Sequence, residues 1–562
     1  MKRKQILIPL LALVLSCAGC GTLSAQNKGA KDNMLELSRA LRVFSDALAG
    51  VTTLYVDTVN VEEISTYGIN AMLSRLDPYT VYIPETERAD FNFMTTGEYG
   101  GIGAYIQQVD SVVYVQYPMP GSPAKESGLR TGDAFLEIDG KPMIPGTASK
   151  ISDSLKGTIG TNVTVKIRRP GESEPRTVTL TRNNVVVDQV AYRGMMPGGI
   201  GYIRLSSFTD KSAADVKKAY NELAASGEPK GLILDLRGNG GGLLDGAIDI
   251  LGMFLPKGTQ VLSTKGRNPS AQETFKTTEQ PISTTLPLVV LINSGSASSS
   301  EIVAGALQDM DRAVLVGSRS FGKGLVQSTR PAGRQGILKV TTSRYYIPSG
   351  RCIQQLDYSH RNPDGTVGAV PDSLTTVFDT MNGRPVRDGG GIRPDIEVKD
   401  EILSVPVYTM LVEGKVFRYA INLAQTKPRP ATLKDLEVTD EDLEGFVSEL
   451  EKEGFGYGER SKQLLEQLKS LAEYEGYKAQ SEAEFGALAK VLTPSLRRDI
   501  EPHREQIKSL LRAALAVHYF GMKGQYAVNL ETDPTLKKAL EVIQDPKRMS
   551  AILQPKKGVA HE

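Results

Sequence analysis

The chain has 562 residues, enough for three or four domains with sizeable hydrophobic cores. Its contents of 40% hydrophobic and 23% charged residues are ordinary for a soluble protein. The net charge is only +1, so the overall composition gives no reason to expect nucleic acid or a strongly acidic molecule as a partner.

The amino terminus, residues 1–25, has the features of an export signal. A basic start is followed by an apolar run at 6–15, which is too short to span a bilayer. Two processing routes stay open: a lipid anchor on Cys20, with Cys17 as a second candidate, or cleavage after Ala25. Either route predicts a protein of the bacterial cell envelope, periplasmic or membrane-anchored as a lipoprotein.

Residues 30–95 predict a mainly helical region. Apolar side chains recur at helical spacing between Leu35 and Val51. A second helix around 61–76 ends at the Asp-Pro sequence that follows it. From the residues alone, helices that pack on a core of their own are one of two interpretations that stay open.

Residues 96–183 contain short apolar strands separated by turns. The sequences PGSPAKESGL and TGDAFLEIDG within residues 120–140 resemble a PDZ domain. The resemblance implies that a peptide adds to the sheet as a strand, while its terminal carboxylate binds backbone N–H groups of Gly101, Ile102 and Gly103. Glycine suits this loop because a side chain would block the approach. A spacer that binds no peptide is the alternative.

Residues 184–400 predict the largest domain, in which buried strands alternate with helices. The strand at 231–236 leads into a glycine-rich loop, RGNGGG at 237–242. A strand followed by such a loop and a helix suggests a dinucleotide site. The fingerprint fails, however, because Leu243 stands where its third glycine is required.

Two linked motifs lie at the centre of this domain. The sequence SASSSEI at 296–302 follows a buried strand and begins a helix. One strand later, the sequence FGKGLVQ at 321–327 carries Lys323 on a glycine-flanked loop. From this order of strands and helices we predict that the lysine loop lies next to the serine turn.

The two motifs resemble the active site of the C-terminal processing peptidases, or tail-specific proteases, which are serine proteases with a Ser/Lys dyad. The family has S-A-S-A-S-E-I and then F-G-K-G-x-x-Q, so Ser299 replaces its usual alanine. The resemblance implies Ser298 as nucleophile, Lys323 as general base and Gln327 as the residue that orients the lysine.

The resemblance also implies an oxyanion hole of backbone N–H groups. Ser299 would supply one donor and Gly242 the other, with Gly241 as the second choice. The protease core would have the α/β architecture of the crotonase and ClpP folds. Because the N-terminal helices of the family often form a dimer interface, a homodimer through residues 30–95 is an alternative to a core within one chain.

A lysine base agrees with the composition. A serine hydroxyl needs a neighbouring base, and none of the four histidines lies in a small-residue motif. A lysine must be neutral to act, and lowering its pKa by about 3 units costs on the order of 4 kcal/mol, which burial in an apolar pocket can impose. No feature of the sequence requires a metal or another cofactor.

Simpler interpretations of both motifs stay open. The serines could serve only as a helix cap, and Lys323 could be an ordinary surface lysine. The sequence that ends at Lys323 also nearly matches the pattern of a phosphate-binding loop. That loop requires a hydroxyl residue where Gly324 stands, so the nucleotide interpretation fails.

Residues 401–562 are rich in charged and helix-forming residues and contain no catalytic motif. We expect a helical appendage that supports the core or mediates assembly. Helices that face solvent without a packing partner are the alternative.

The sequence therefore predicts a multidomain α+β protein with N-terminal helices, a PDZ domain, an α/β protease core and a C-terminal helical region. We expect an exported serine endopeptidase that selects proteins or peptides by their exposed C-termini. A catalytically inactive PDZ scaffold in the cell envelope is the main rival hypothesis. A Ser/Lys hydrolase of small esters or amides is another.

Overall fold

The computed structural model describes residues 20–334 and 336–554, with side chains from residue 34 onwards. Most of the predicted export signal, including Cys17, lies outside the described residues, and Cys20 is the first residue of the first helix. Among the helices of these ranges, none is both long enough and apolar enough to cross a membrane. The described chain divides into two units, of which the smaller comprises residues up to Pro84 together with Thr329–Val340.

The described residues of the smaller unit form two helices and short antiparallel strand pairings. The helices are Cys20–Leu54 and Val61–Leu73, and the second is capped by the side chain of Asn60. The strand Val81–Ile83 pairs antiparallel with residues 337–339.

The apolar side chains of these two helices and of the residues that follow each helix are mostly exposed. Those with large exposed areas are Met34, Leu35, Leu37, Leu41, Val43, Phe44, Val51, Leu54, Tyr55, Val56, Val61, Ile64, Tyr67, Met72 and Leu76. Leu73 is the buried apolar residue of the second helix. Within the described side chains these helices therefore form no core of their own, and that interpretation is wrong for this part of the chain.

The region predicted as a PDZ domain contains a small antiparallel sheet and two helices. Its main sheet consists of strands Ala104–Val109, Val112–Pro118, Ala134–Ile138, Lys141–Pro142, Asn162–Arg168 and Arg176–Thr181. The helices are Pro123–Glu126 and Ala148–Leu155. A separate pair, Glu98–Gly101 with Asn183–Val186, joins the two ends of the region. Within the described residues, Ala104–Val109 is an edge strand that pairs only with Val112–Pro118.

The largest domain is built on a six-stranded sheet. In spatial order its strands are Val190–Met196, Ile200–Leu205, Gly231–Asp235, Leu288–Ile292, Val314–Gly317 and Ile396–Glu397. The first pair is antiparallel and the others are parallel. The two central strands are buried at every residue, as expected for parallel strands covered by helices on both faces.

Different parts of the chain cover the two faces of this sheet. Alternate side chains of each strand point to opposite faces. Leu232 and Val290 pack with the core helices Ser212–Ser226, Leu244–Gly252 and Ser299–Asp309. On the opposite face, Ile233, Val289 and Leu291 pack against Leu536, Ala539, Val542 and Ile543 of the C-terminal helix Pro534–Ile543.

A second group of strands lies beside the core sheet. They are Gln260–Gly266, Glu273–Lys276, Leu325–Ala332 and Gly336–Tyr346. Residues 356–388 contain two short antiparallel pairs, Leu356–Arg361 with Val367–Ala369 and Val377–Asp379 with Pro385–Arg387. Helix Arg88–Thr96 precedes the PDZ-like region. Short 3-10 turns occur at Glu85–Glu87, Pro269–Ala271, Asp372–Leu374, Leu433–Asp435, Lys478–Gln480 and Glu501–His503.

The C-terminal region is helical, as predicted. Its helices are Val405–Val412, Lys415–Thr426, Asp440–Lys452, Glu459–Tyr474, Glu482–Leu492, Leu496–Ile500, Arg504–Glu531, Pro534–Ile543 and Pro546–Leu553. Phe446 and Leu450 share a hydrophobic core with Leu511 and Leu515. Because these helices also cover one face of the core sheet, the alternative of helices without a packing partner is wrong.

Candidate active site

Ser298 occupies a strained turn between a core strand and helix Ser299–Asp309. Its backbone angles are φ 55° and ψ −114°, in a region that residues other than glycine rarely adopt. Such a conformation costs about 1–3 kcal/mol, so the surrounding structure must hold it in place. The residue is half-buried and lies immediately before the first turn of the helix, where backbone N–H groups have no partner within the helix.

The buried carboxylate of Glu301 joins the serine turn to the lysine loop. Its Oε2 accepts hydrogen bonds from the N–H groups of Ser298, at 2.8 Å, and Lys323, at 2.9 Å. Its Oε1 accepts from the N–H of Gly322, at 2.7 Å, and from the hydroxyl of Ser320, at 2.5 Å. One side chain therefore fixes the backbone of both residues that the sequence singles out.

Tyr345 joins the same two residues on their carbonyl side. Its hydroxyl lies 2.7 Å from the carbonyl oxygen of Lys323 and 3.3 Å from that of Ser298. The N–H of Phe321 also donates to the carbonyl of Ser296 at 3.0 Å. Together with Glu301, these bonds bring the serine turn and the half-buried Lys323 into one site.

Burial raises the pKa of Glu301 to about 7, while the hydrogen bonds from Ser320, Lys323, Gly322 and Ser298 act in the opposite direction. A carboxylate in an apolar interior is costly, and its four donors compensate only part of that cost. The charge of this side chain therefore changes close to neutral pH.

A later segment of the chain forms hydrogen bonds with the backbone of the lysine loop. The N–H of Gly324 donates to the side chain of Gln354 at 2.8 Å, and the N–H of Gln355 donates to the carbonyl of Gly322 at 2.9 Å. Gln327 is half-buried, and its amide donates to Thr341 Oγ1 at 3.1 Å. The role of Gln327 in orienting the lysine stays a prediction.

The glycine-rich loop packs directly against the serine turn. A Cβ atom on Gly241 would lie 2.8 Å from Ser298 Cβ and 2.9 Å from the nitrogen of Ser299. One on Gly242 would lie 2.0 Å from the carbonyl oxygen of Phe208. Glycine is required at both positions, because a side chain on Gly241 would clash with the serine turn and one on Gly242 would clash with the backbone of Phe208.

The two glycines predicted as oxyanion donors differ in whether their N–H group already has a hydrogen-bond acceptor. The Gly241 N–H donates to the side-chain oxygen of Asn239 at 2.9 Å. Within the described ranges, the N–H groups of exposed Gly242 and of Ser299 have no acceptor. Of the two glycines, Gly242 is therefore better suited to donate to a substrate oxygen.

The other serines of the motif hold the glycine loop. The hydroxyl of Ser296 donates to Leu236 O at 2.8 Å, that of Ser299 to Gly242 O at 3.0 Å, and that of Ser300 to Asn239 O at 2.8 Å. The interpretation of the serines as only a helix cap is therefore wrong. Ser299, which departs from the family's alanine, contacts the predicted donor glycine.

Sequence reasoning missed Glu301 and Tyr345 as members of the site. A signal existed for Glu301, because a glutamate three residues after a serine at a helix start indicates a capping box. Tyr345 lies in a strand 47 residues from Ser298, and nothing in its local sequence indicates the contact.

In the PDZ-like region, Gly101, Ile102 and Gly103 lie just before the edge strand. The carbonyl of Ile102 accepts from Ala124 N–H at 2.8 Å, and that of Gly103 accepts from Met119 N–H at 2.9 Å. The N–H groups of Ile102 and Gly103 have no acceptor in the part of the chain that the structure describes. A loop with carbonyls occupied and N–H groups available suits an anionic ligand.

Comparisons with known proteins match three parts of the chain. The model for peptidase family S41 matches residues 199–365, and a PDZ-domain model matches residues 114–169. A model described as the C-terminal helical domain of probable PDZ-proteases matches residues 407–543.

A carboxy-terminal-processing protease of Bartonella bacilliformis is 39% identical over 319 residues, which are 56% of this chain and 73% of that protein. The chain belongs to this serine protease family. The carboxyl-terminal-processing protease of Synechocystis is 38% identical over 303 residues, 53% of this chain and 70% of that protein. The prediction of a serine-type protease is thereby confirmed.

Two solved structures are similar to parts of this protease. One is a photosystem II D1 C-terminal processing protease, 28% identical, which covers 64% of this chain and 93% of its own, with a TM-score of 0.34. The other is the PDZ domain of a carboxy-terminal protease from Vibrio cholerae in complex with peptide. It is 23% identical and covers 16% of this chain and 99% of its own, with a TM-score of 0.16.

The family models confirm the predicted combination of a PDZ domain, a protease core and a C-terminal helical domain. They also extend the sequence interpretation, which found no catalytic motif in residues 401–562. The C-terminal helices of this protease match a domain that occurs in PDZ-proteases.

Proposed function

We propose that this protease is an exported endopeptidase in which Ser298 is the nucleophile and Lys323 the general base. The observation that carries the proposal is the double link between the two residues. Glu301 binds both backbone N–H groups, and Tyr345 contacts both carbonyl groups. Hydrogen bonds at both the N–H and the carbonyl of each residue restrict the positions from which the two side chains project.

The reaction begins with attack of Ser298 Oγ on the substrate carbonyl carbon, while neutral Lys323 Nζ takes the hydroxyl proton. The N–H groups of Gly242 and Ser299 stabilise the oxyanion. Collapse of the tetrahedral intermediate breaks the C–N bond, and Lys323 gives its proton to the leaving amine. Water then attacks the acyl-enzyme while Lys323 takes its proton. The ester C–O bond breaks, Lys323 returns the proton to Ser298 Oγ, and the acid product leaves.

We further propose that the PDZ domain selects substrates by their C-termini. The edge strand Ala104–Val109 has one side open for an added peptide strand. The available N–H groups of Ile102 and Gly103 lie at the start of this strand, where the terminal carboxylate of such a peptide would end. Proteins or peptides with accessible C-termini are therefore the proposed substrates.

Export to the cell envelope and a lipid anchor on Cys20 are proposals that rest on the amino-terminal sequence. A homodimer is also proposed, and the exposed apolar side chains of helices Cys20–Leu54 and Val61–Leu73 support it. A second copy would remove these side chains from water, which favours association. Light scattering of the full chain tests the dimer, and mass spectrometry of the membrane fraction tests lipidation.

The decisive experiment for the dyad is cleavage of an unstructured protein by purified wild type, Ser298→Ala and Lys323→Ala. We expect no cleavage by either variant and unchanged circular dichroism. Ser294→Ala is the matched control, because Ser294 is an exposed serine of the same turn. Cleavage at the wild-type rate by Ser298→Ala or Lys323→Ala would reject the dyad.

A further inference from the structure

The C-terminal helical domain makes a charged contact with the glycine-rich loop of the active site. Arg237, the first residue of this loop, donates two hydrogen bonds to Asp533. The distances are 3.1 Å from Nη1 to Oδ1 and 2.6 Å from Nη2 to Oδ2. The side chains of Arg237 and Asp533 are only 13% and 10% exposed, so solvent screens the pair weakly.

Asp533 completes a set of two arginines and two carboxylates, in which Asp235 is buried and the other three side chains are half-buried. Asp235 is fully buried and accepts from Arg237 Nη2 at 2.7 Å and from Arg204 Nη1 at 3.0 Å. It also accepts from the hydroxyl of Tyr202 at 2.5 Å. One carboxylate would face two guanidinium groups without Asp533, and an uncompensated charge at such a site is costly.

The same set fixes the backbone at the start of the glycine loop. The N–H of Arg237 donates to Asp235 Oδ1 at 2.9 Å, and the carbonyl of Arg237 accepts from Arg204 Nη2 at 3.0 Å. The loop then continues through Asn239 to Gly241 and Gly242. A shift of Arg237 would therefore move the residues that contact Ser298.

We propose that Asp533 is a positioning residue, which holds the glycine loop in its oxyanion-binding position by way of Arg237. The inference rests on the proposed function, in which the Gly242 N–H stabilises the oxyanion. The C-terminal domain then has two roles. Its helices cover the core sheet, and one ion pair from it supports catalysis.

Attachment of the C-terminal domain does not itself need this ion pair. Helix Pro534–Ile543 packs on the core sheet through its apolar side chains. Asp533 also caps this helix, because its Oδ1 accepts from the N–H groups of Thr535, at 2.9 Å, and Leu536, at 3.0 Å. Capping and ion pairing are separate roles of one side chain, and different substitutions separate them.

Two variants of the full chain remove one role each. Asp533→Asn retains an oxygen that can cap the helix but removes the negative charge. Asp533→Glu retains the charge but is a weaker cap. Asp545→Asn is the matched control, because Asp545 also caps a helix that begins with proline and accepts from Lys547 N–H and Arg548 N–H. Within the described residues Asp545 forms no ion pair.

The measurements are kcat and KM with a peptide substrate, thermal unfolding, and hydrogen exchange of backbone amides at 238–242. For Asp533→Asn we expect kcat to fall by about 10-fold with KM within about 2-fold, because a small displacement of catalytic groups lowers kcat strongly. We also expect faster exchange at 238–242 and a lower unfolding temperature, because Arg237 loses the charge of its partner. Asp533→Glu should retain kcat and unfold at a lower temperature, and Asp545→Asn should match wild type in kcat.

Equal kcat and equal exchange in Asp533→Asn and Asp545→Asn would overturn the proposal. So would a parallel loss of kcat and unfolding temperature in both Asp533 variants, which would indicate a purely structural role. If wild type cleaves no peptide, the proposed function fails by itself. The exchange comparison then still decides whether Asp533 orders the loop.

Discussion

The backbone N–H groups of Ser298 and Lys323 donate to the same oxygen atom, Oε2 of the buried Glu301, at 2.8 and 2.9 Å. The two nitrogens cannot be farther apart than the sum of these distances, although 25 residues separate them in the chain. This shared acceptor fixes the serine turn and the lysine loop against each other. It explains how two motifs on different loops come to lie in one candidate site.

We expect Glu301→Gln to lower kcat strongly and to destabilise the fold. The amide retains the size of the side chain but replaces one acceptor oxygen with a donor NH2 group, which would face N–H groups. An unsatisfied buried group costs about 1–3 kcal/mol. Urea unfolding and peptide cleavage measure both effects. Glu441→Gln is the control, an exposed glutamate in the first turn of another helix, and equal behaviour of the two variants would contradict the prediction.

Stability should depend on pH through Glu301. Burial raises its pKa from 4.5 to about 7, so the folded protein holds this proton more tightly than the unfolded chain does. The favourable contribution is complete below pH 4.5 and declines as pH rises to about 7, by up to about 3 kcal/mol. Urea unfolding at pH 5 and pH 8 should show this decline in wild type relative to Glu301→Gln. An identical pH dependence in both proteins would contradict it.

Removing the hydroxyl of Tyr345 should loosen the link between the carbonyl groups of Ser298 and Lys323. We expect Tyr345→Phe to lower kcat several-fold and the free energy of unfolding by about 1 kcal/mol, the usual contribution of one hydrogen bond. Tyr346→Phe is the control, because the Tyr346 ring faces Lys265 instead of the serine turn. A wild-type kcat for Tyr345→Phe would show that this contact has no catalytic role.

The glycine loop offers a matched pair of substitutions. A Cβ atom on Gly241 would lie 2.8 Å from Ser298 Cβ, whereas one on Gly240 would have no atom within 4 Å. We expect Gly241→Ala to lower kcat by about 100-fold or more, as the loss of an oxyanion donor does. Gly240→Ala should stay near wild type. Comparable kcat values for the two variants would show that the loop does not supply the oxyanion hole.

The proposed carboxylate site can be tested with the inactive Ser298→Ala protein. A fluorescent peptide with a free C-terminus should bind at least about 10-fold more tightly than the same peptide with an amidated C-terminus, because a charge-assisted hydrogen bond is worth about 1.5–3 kcal/mol. Fluorescence anisotropy gives the two Kd values. Equal affinity would reject recognition of the terminal carboxylate while leaving the dyad intact.

Much of the fold followed from local patterns. The alternation of buried strands and helices predicted for 184–400 agrees with the structure, and so does the helical prediction after residue 400 as far as the described residues extend, to 554. The N-terminal helices formed, but within the described side chains a core of their own did not, because periodicity shows that a helix has an apolar face and does not show what covers that face.

The residues of the candidate site were also predictable only in part from the sequence. Ser298 and Lys323 were recognised from two short motifs, and the structure brings them together. Glu301 was in one of these motifs without an assigned role, since its four hydrogen bonds join segments that a sequence motif treats separately. Nothing in the sequence linked Tyr345 or Asp533 to the site.

The sequence by itself determined the family, the order of the domains and the two motifs, because turn-forming residues and apolar periodicity act over a few neighbouring positions. The tertiary structure alone decided which groups surround the reacting atoms. Asp533 reaches Arg237 across 296 residues, and the hydroxyl of Tyr345 meets the serine turn from another strand. Such contacts depend on how sheets and helices pack, and packing is a property of the whole folded chain.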